Sequence, residues 1–235
     1  MEFNHKYFLI SFKQALLYAP TTIKIMLITV IISAFFGIVI GAIRFYKLPF
    51  FSKFLSVFVT VYMGLPIMVA LVLYNLLFLT CYTDFANFFH IQKSISEINP
   101  VFVALFALIC HFSCGLSETV RAALRSIDKV QFEAGYSIGL GKIQTFRRII
   151  LPQILPVMVP GLLNNIIGIL KATNLVSAIG VTEIMVAALV PCQDTYSYLE
   201  GYLAAALMYW IIGIVIENIG HVIEKKTTSY IKRLV

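Results

Sequence analysis

Five long apolar runs constrain this chain more than any other feature. In hydrocarbon every backbone N–H and C=O must be satisfied within the protein, which leaves helices or closed barrels as the only spanning structures. The runs cover roughly residues 20–43, 50–80, 100–124, 154–170 and 198–219. About 20 helical residues cross a bilayer core, so each run is long enough or nearly so. Composition agrees: 60% of the 235 residues are hydrophobic and 12% charged, where soluble domains carry about 45–50% and about 25%. Mean hydropathy is +0.92. The expectation is one all-α integral membrane domain. The net charge of +7 does not point to nucleic acid, because the basic residues gather at the ends of the apolar runs.

The one sizeable polar segment lies between the third and fourth runs. It contains Glu133-Ala134-Gly135-Tyr136-Ser137-Ile138-Gly139, then Ile149, Leu151 and Pro152, which reads E-A-G-x(3)-G-x(9)-I-x-L-P. This resembles the cytoplasmic coupling loop of bacterial ABC importer permeases, whose usual form is E-A-A-x(3)-G-x(9)-I-x-L-P. Gly135 stands where the second alanine is expected. The resemblance implies a type I ABC importer transmembrane domain: five transmembrane helices with an N-terminal interfacial helix. It also implies that Glu133, Ala134, Gly135, Gly139, Lys142, Phe146, Arg147, Leu151 and Pro152 seat a separate ATPase.

The residues of the loop suit that task. Gln131 to Ala134 favours helix, and Gly135, Gly139 and Gly141 permit a sharp change of direction. From Lys142 to Ile150, Ile143, Phe146 and Ile149/Ile150 fall on one face with Arg147 and Arg148 beside them. A short helix of that kind can enter a partner's apolar groove while its cations meet an acidic rim. The competing reading is a basic loop gripping anionic lipid heads. Pro152 and Pro156 would turn the chain back into the membrane. Gly135 to Ile143 imitates a phosphate-binding loop, but Gly135 precedes Gly141 by six positions and Ile143 sits where a hydroxyl must bind Mg²⁺. No cofactor is expected in the chain itself, and the resemblance implies that ATP and Mg act through the partner ATPase.

From about Pro20 to Ile219 the chain is similar to the polar amino acid uptake branch of these permeases, the histidine, arginine, glutamine and cystine systems. Met63-Gly64-Leu65-Pro66 stands where the branch has R-G-T-P. Glu118, Val120 and Arg121 match its E-x-V-R. Asn164 to Val181 follows its N-Q-F-I-A-L-L-K-D-T-S-L-V-S-x-I-G-V, with Ala172 for the acid and Asn174 for the serine. Polar groups inside a membrane bundle face the interior or a wet path. On that basis Met63, Gly64, Pro66, Asn164, Asn165, Lys171, Thr173 and Asn174 are the substrate-path candidates. Lys171 has two further options, pairing with Glu183 or snorkelling to the surface. Gly64 and Pro66 are also read as a kink in the second run, and Glu118 with Arg121 as an ion pair or gate contact. The resemblance implies a polar L-amino acid as solute, with an opine or a cystine-like sulfur compound as the alternative. Its partners would be an ABC ATPase dimer, a second permease (identical or similar), an extracytoplasmic solute-binding protein and membrane lipid, with no nucleic acid. A secondary transporter or a membrane enzyme would need repeats or converging reactive groups, and neither is visible.

Charge sets the orientation. Of 18 Lys and Arg, thirteen fall on the side of Arg44, Lys47, Lys53, the 121–148 segment and Lys225 to Arg233, and three (Lys6, Lys13, Lys93) on the other. The positive-inside rule puts the N-terminus outside and the C-terminus in the bacterial cytoplasm. Residues 1–19 are expected as an interfacial segment, with Tyr7 to Ala19 lying in the membrane surface rather than acting as a signal peptide. Residues 20–221 then form the transmembrane domain, with its coupling loop at 127–152, and 222–235 a cytoplasmic tail. Ser33, Gly37 and Gly41 recur at four-residue intervals and are read as packing within the bundle. Cys81 and Cys192 share the outer side and are free to pair if they meet. Cys110 and Cys114 lie inside the third run, and His5, His90, His111 and His221 are scattered, so no metal site is expected.

Overall fold

The computed structural model describes residues 3–88 and 97–232; His90, Lys93 and Arg233 lie outside them. The first helix, α1, runs His5–Phe45 without interruption. Asn4 starts it by accepting from the Lys6 and Tyr7 amides, while its own N–H donates to Glu200 at 2.7 Å. The helix does not begin at Pro20 but continues through it. Proline removes one ladder bond, a loss that membrane helices tolerate where neighbours hold the backbone. Here Ala15 and Ala19 are buried against Ile184, Ala188, Ala205 and Met208. Tyr7 to Ala19 is thus the N-terminal part of the same 41-residue helix. At about 1.5 Å per residue α1 is about 60 Å long, twice the roughly 30 Å of a bilayer core. That length leaves its first turns room beyond the apolar layer.

The next run is two helices, α2 (Phe51–Met63) and α3 (Ile67–Phe88). They meet at 105°, a sharper break than the expected kink. Pro66 favours it, since proline disfavours helical geometry at the residue before it and cannot donate to the preceding turn. Then come α4 (Val101–Arg125), α5 (Lys129–Ser137), α6 (Lys142–Thr145), a π-turn at Phe146–Ile150 and α7 (Leu151–Ala172). A 3₁₀ stretch, Thr173–Ile179, leads to the short α8 (Ile184–Leu189). The last helix, α9, covers Tyr198–Lys232 and carries helix into the region expected as a tail. Among the described residues four helical runs are long and apolar enough to cross a membrane, and the bent α2–α3 pair makes a fifth.

The bundle is organised on α4. Ser33, Gly37 and Gly41 lie on a buried stripe of α1. A Cβ added to Gly37 would stand 2.6 Å from the Leu116 Cβ, and one on Gly41 2.8 Å from the Ser117 carbonyl oxygen. The α1 and α4 backbones therefore approach as closely as missing side chains allow. The main core joins Ile25, Leu71, Leu108, Ile169, Leu170 and Val176 from α1, α3, α4, α7 and the 3₁₀ stretch. A second cluster, at the opposite end from α8, unites Val120, Ala123 and Leu124 of α4 with Ile150 and Ile154.

Candidate functional site

The segment between α4 and α7 folds by local rules. Asp128 caps α5 by accepting from the Val130 amide at 3.1 Å. Gly139 ends it with φ of +82°. The Leu140 amide reaches back to the Gly135 carbonyl and the Gly139 amide to that of Tyr136, the paired bonds of a left-handed helix stop. The Gly141 amide donates to the Gln144 side chain at 3.1 Å as α6 begins. The π-turn comes next because Pro152 has no N–H and its ring crowds the carbonyl four residues back, so the ladder shifts by one residue. The Leu151 amide accordingly bonds the Phe146 carbonyl.

Gly135 is not a turn. It lies buried within α5, and a Cβ there would stand 2.5 Å from Thr145 Cγ2 and 2.8 Å from its Oγ1. Thr145 is fully buried and fills the space the usual alanine would take. This accounts for the departure from E-A-A.

The segment has two faces. Phe132, Phe146, Ile149 and Leu151 pack inward, as Phe45 of α1 does, on the cluster that holds Val120 and Leu124 of α4 and Ile154 of α7. Pro152 is half-buried in the first turn of α7, while Glu133, Ala134, Gly139, Lys142 and Arg147 are exposed. Phe146 and Ile149 turn into the bundle rather than toward a partner, because the π-turn rotates α6 relative to α7, and the outward residue of the expected face is Ile143. It is 83% exposed, and Ile138 is 74% exposed. Val130 and Tyr136 are exposed as well, in a segment whose Lys129, Lys142, Arg147 and Arg148 exclude it from hydrocarbon. Sequence reasoning missed Val130, Tyr136 and Ile138. The signal was present, since large apolar residues beside the glycines have no packing partner in so short a helix.

Glu118 joins two cations rather than one. It meets Arg121 at 3.3 Å along α4 and Arg44 of α1 at 2.6 Å. Arg44 is not a loop residue but occupies the last turn of α1, 6% exposed. It also donates to Ser56 of α2 at 3.2 Å and to Ser117 at 3.3 Å. Its place on the stripe of Ser33, Gly37 and Gly41, at helical spacing, was the overlooked clue.

The path candidates divide. Asn164 and Lys171 line a groove of about 510 Å³ between α7 and α9, together with Tyr209, Trp210, Gly213 and Glu217. Asn165 turns toward α4 instead, donating to Thr119 Oγ1 at 3.2 Å and to the Gly161 carbonyl at 2.8 Å. Thr173 is buried and donates to the Leu170 carbonyl at 2.6 Å, and Asn174 lies in the same 3₁₀ stretch. Met63, Gly64 and Pro66 sit at the α2–α3 break, away from the groove. Glu183 is fully buried, caps α8 through the Met185 and Val186 amides and accepts from the Tyr209 hydroxyl. Burial pushes its carboxyl above the ordinary range, against the opposing pull of those donors. Lys171 is left to the groove. Cys81 is exposed, while Cys192 is buried 3.2 Å from the Ser11 hydroxyl, and the two are not bonded. Among the described residues no three His, Cys, Asp or Glu side chains converge as metal ligands.

Comparison with known proteins places this architecture. The chain is 30% identical over 219 residues to the probable amino-acid ABC transporter permease protein PatM of Vibrio harveyi, covering 93% of this chain and 94% of the relative. It is 30% identical over 218 residues to the L-cystine transport system permease protein TcyL of Bacillus subtilis, covering 93% and 89%. Its fold matches a crystal structure of an amino acid ABC transporter with histidines at a TM-score of 0.79 and 22% identity, over 96% of this chain and 100% of the other. A model of binding-protein-dependent transport system inner membrane components matches residues 33–229, and the chain belongs to that family.

Proposed function

We propose that this chain is the membrane subunit of an ATP-driven importer for polar L-amino acids, acting as conduit and lever rather than as catalyst. The observation that carries the reading is the two-faced segment between α4 and α7. Its inner face packs through Phe132, Phe146 and Ile149 into a cluster of α4 and α7 side chains that Phe45 of α1 also joins, and its outer face offers Ile138 and Ile143 to a partner. A displacement imposed on that outer face reaches α1, α4 and α7 together. Glu133, Ala134, Gly139, Lys142 and Arg147 border the partner surface; Gly135, Leu151 and Pro152 hold its geometry. The partner is a pair of ABC ATPases that supplies ATP and Mg²⁺. Each nucleotide state favours one of two orientations of the spans, and alternating access results from that bias.

The names of the relatives support an amino acid as solute. Asn164 and Lys171 offer a polar, cationic lining to a zwitterion, and Glu217 gives the same groove an acid. Its volume falls within the roughly 300–1,000 Å³ of small-molecule sites. A second permease, identical or similar, encloses the path, and an extracytoplasmic binding protein loads it. The N-terminus lies outside and the coupling segment and C-terminus in the cytoplasm of a bacterial cell, consistent with the basic residues at that end.

The test is purification from native membrane in mild detergent, with mass spectrometry of the proteins that remain bound in stoichiometric amount. An ABC ATPase, alone or with a second permease, is the expected result. A chain recovered without an ATPase from preparations that keep other membrane complexes intact would overturn the proposal.

A further inference from the structure

At the end of the bundle that carries α5 and α6, a groove of about 560 Å³ opens between the last turn of α1, the 46–50 connection, the start of α2 and the end of α4. Five cations line it, Arg44, Lys47, Lys53, Arg121 and Arg125, and its lining contains no carboxylate. Glu118 reaches Arg44 and Arg121 from the side, so a single acid stands against five positive charges. The Nε–H of Arg121 is buried without a hydrogen-bond partner. A buried unused donor on a cation costs free energy comparable to a lost charged hydrogen bond, and an anion in the groove would remove that cost.

The connection is shaped to keep these cations together. Lys47 and Phe50 both adopt positive φ, +51° and +67°. Side-chain-bearing residues avoid that region by roughly 1–2 kcal/mol each. The doubled-back chain brings Lys47 and Lys53 to one rim. Beside them Phe50 is 83% exposed, and Phe54 and Val57 continue an exposed apolar strip along α2. Free inorganic phosphate would satisfy the cations but leave that strip without purpose. A molecule with an anionic phosphate joined to acyl chains satisfies both.

We propose that this groove binds the headgroup phosphate of an anionic phospholipid, with its acyl chains along Phe54 and Val57 of α2. The groove's lining shares no residue with the surface offered to the ATPase; only its assignment to the cytoplasmic leaflet rests on the orientation proposed above. A lipid there bridges α1, α2 and α4 at the point where Arg44 and Glu118 already join them.

The test is native mass spectrometry of the full chain, with its co-purifying partners, after titration with phosphatidylglycerol or phosphatidylcholine. The native chain should retain about one phosphatidylglycerol per copy in preference to phosphatidylcholine. Each cation near an anionic lipid contributes roughly a fivefold factor, so Lys47→Gln/Lys53→Gln should weaken phosphatidylglycerol retention about 25-fold. Arg147→Gln/Arg148→Gln, on the other basic surface, should leave it unchanged. Equal retention of the two lipids by the native chain would overturn the proposal, as would full retention by the double lysine variant. Displacement of the lipid by millimolar inorganic phosphate would reassign the groove to free phosphate.

Discussion

Replacing Gly135 by alanine restores the residue usual in such loops, yet it should loosen this one. The new Cβ would stand 2.5 Å from Thr145 Cγ2, well inside the roughly 3.5–4.0 Å at which carbons rest in contact. Thr145 is fully buried and branched at Cβ, so it has little freedom to turn away. Overpacking of this kind costs about 1–3 kcal/mol, while alanine gains about 1 kcal/mol over glycine inside a helix. The net expectation for Gly135→Ala is a loss of up to about 2 kcal/mol in local stability. The double variant Gly135→Ala/Thr145→Ala removes the clash, keeps the helix gain and discards a threonine hydroxyl that is buried without a partner. It should be at least as stable as the native segment, which gives the pair a coupling energy of about 2 kcal/mol. Hydrogen exchange of the amides of residues 130–140 reads this directly, because opening of α5 is a local event. Exchange should quicken by up to about thirtyfold in Gly135→Ala and return to native or slower in the double variant. Slower exchange in the single variant, or no rescue in the double, would refute the close-packing account of Gly135.

The geometry sets three further outcomes. Glu118→Ala leaves the buried Arg44 guanidinium with hydroxyl partners only. It should cost about 3 kcal/mol, the lower end for a broken buried pair because the Glu118 side chain is 37% exposed; thermal unfolding in detergent measures it, and an unchanged midpoint would show the pair to be idle. Gly139→Val places a β-branched residue at φ of +82°, and should abolish solute-stimulated ATP hydrolysis and uptake while membrane insertion persists; native uptake would remove the coupling role from this turn. Ile143→Ala removes about 2 kcal/mol of apolar burial at a partner surface and should weaken ATPase retention roughly thirtyfold in a pull-down from defined concentrations, with retention at the native level counting against Ile143 as a contact.

The five spans, the small-residue stripe of α1 and the stop at Gly139 were legible because each depends on residues close in sequence. The features that escaped depend on neighbours from elsewhere in the chain. Pro20 reads as a helix start until the cluster of Ile184, Ala188 and Met208 is seen holding the backbone beside it. Gly135 reads as a hinge until Thr145 occupies the space above it. Arg44 reads as a loop cation, and only the fold shows Glu118 waiting across the seam. The single partner-facing side expected of Ile143, Phe146 and Ile149 assumed an unbroken α ladder, and the π-turn before Pro152 invalidates that assumption. Asn164 and Asn165 look equivalent as neighbours in one span, but successive helical residues point about 100° apart, which sends one to the groove and the other to Thr119.

The glycine contacts between α1 and α4 also have a mechanical side. Where backbone meets backbone there are no long side chains to bend or change rotamer, so the two helices have no slack with which to slide past one another. At the end that carries α5 and α6 their Phe45 and Leu124 share one apolar cluster, and at its other end α1 is bonded to α9 through Asn4 and Glu200. For α1, about 60 Å long, a tilt of about 5° about one end would sweep the other through about 5 Å, close to the rise of one helical turn.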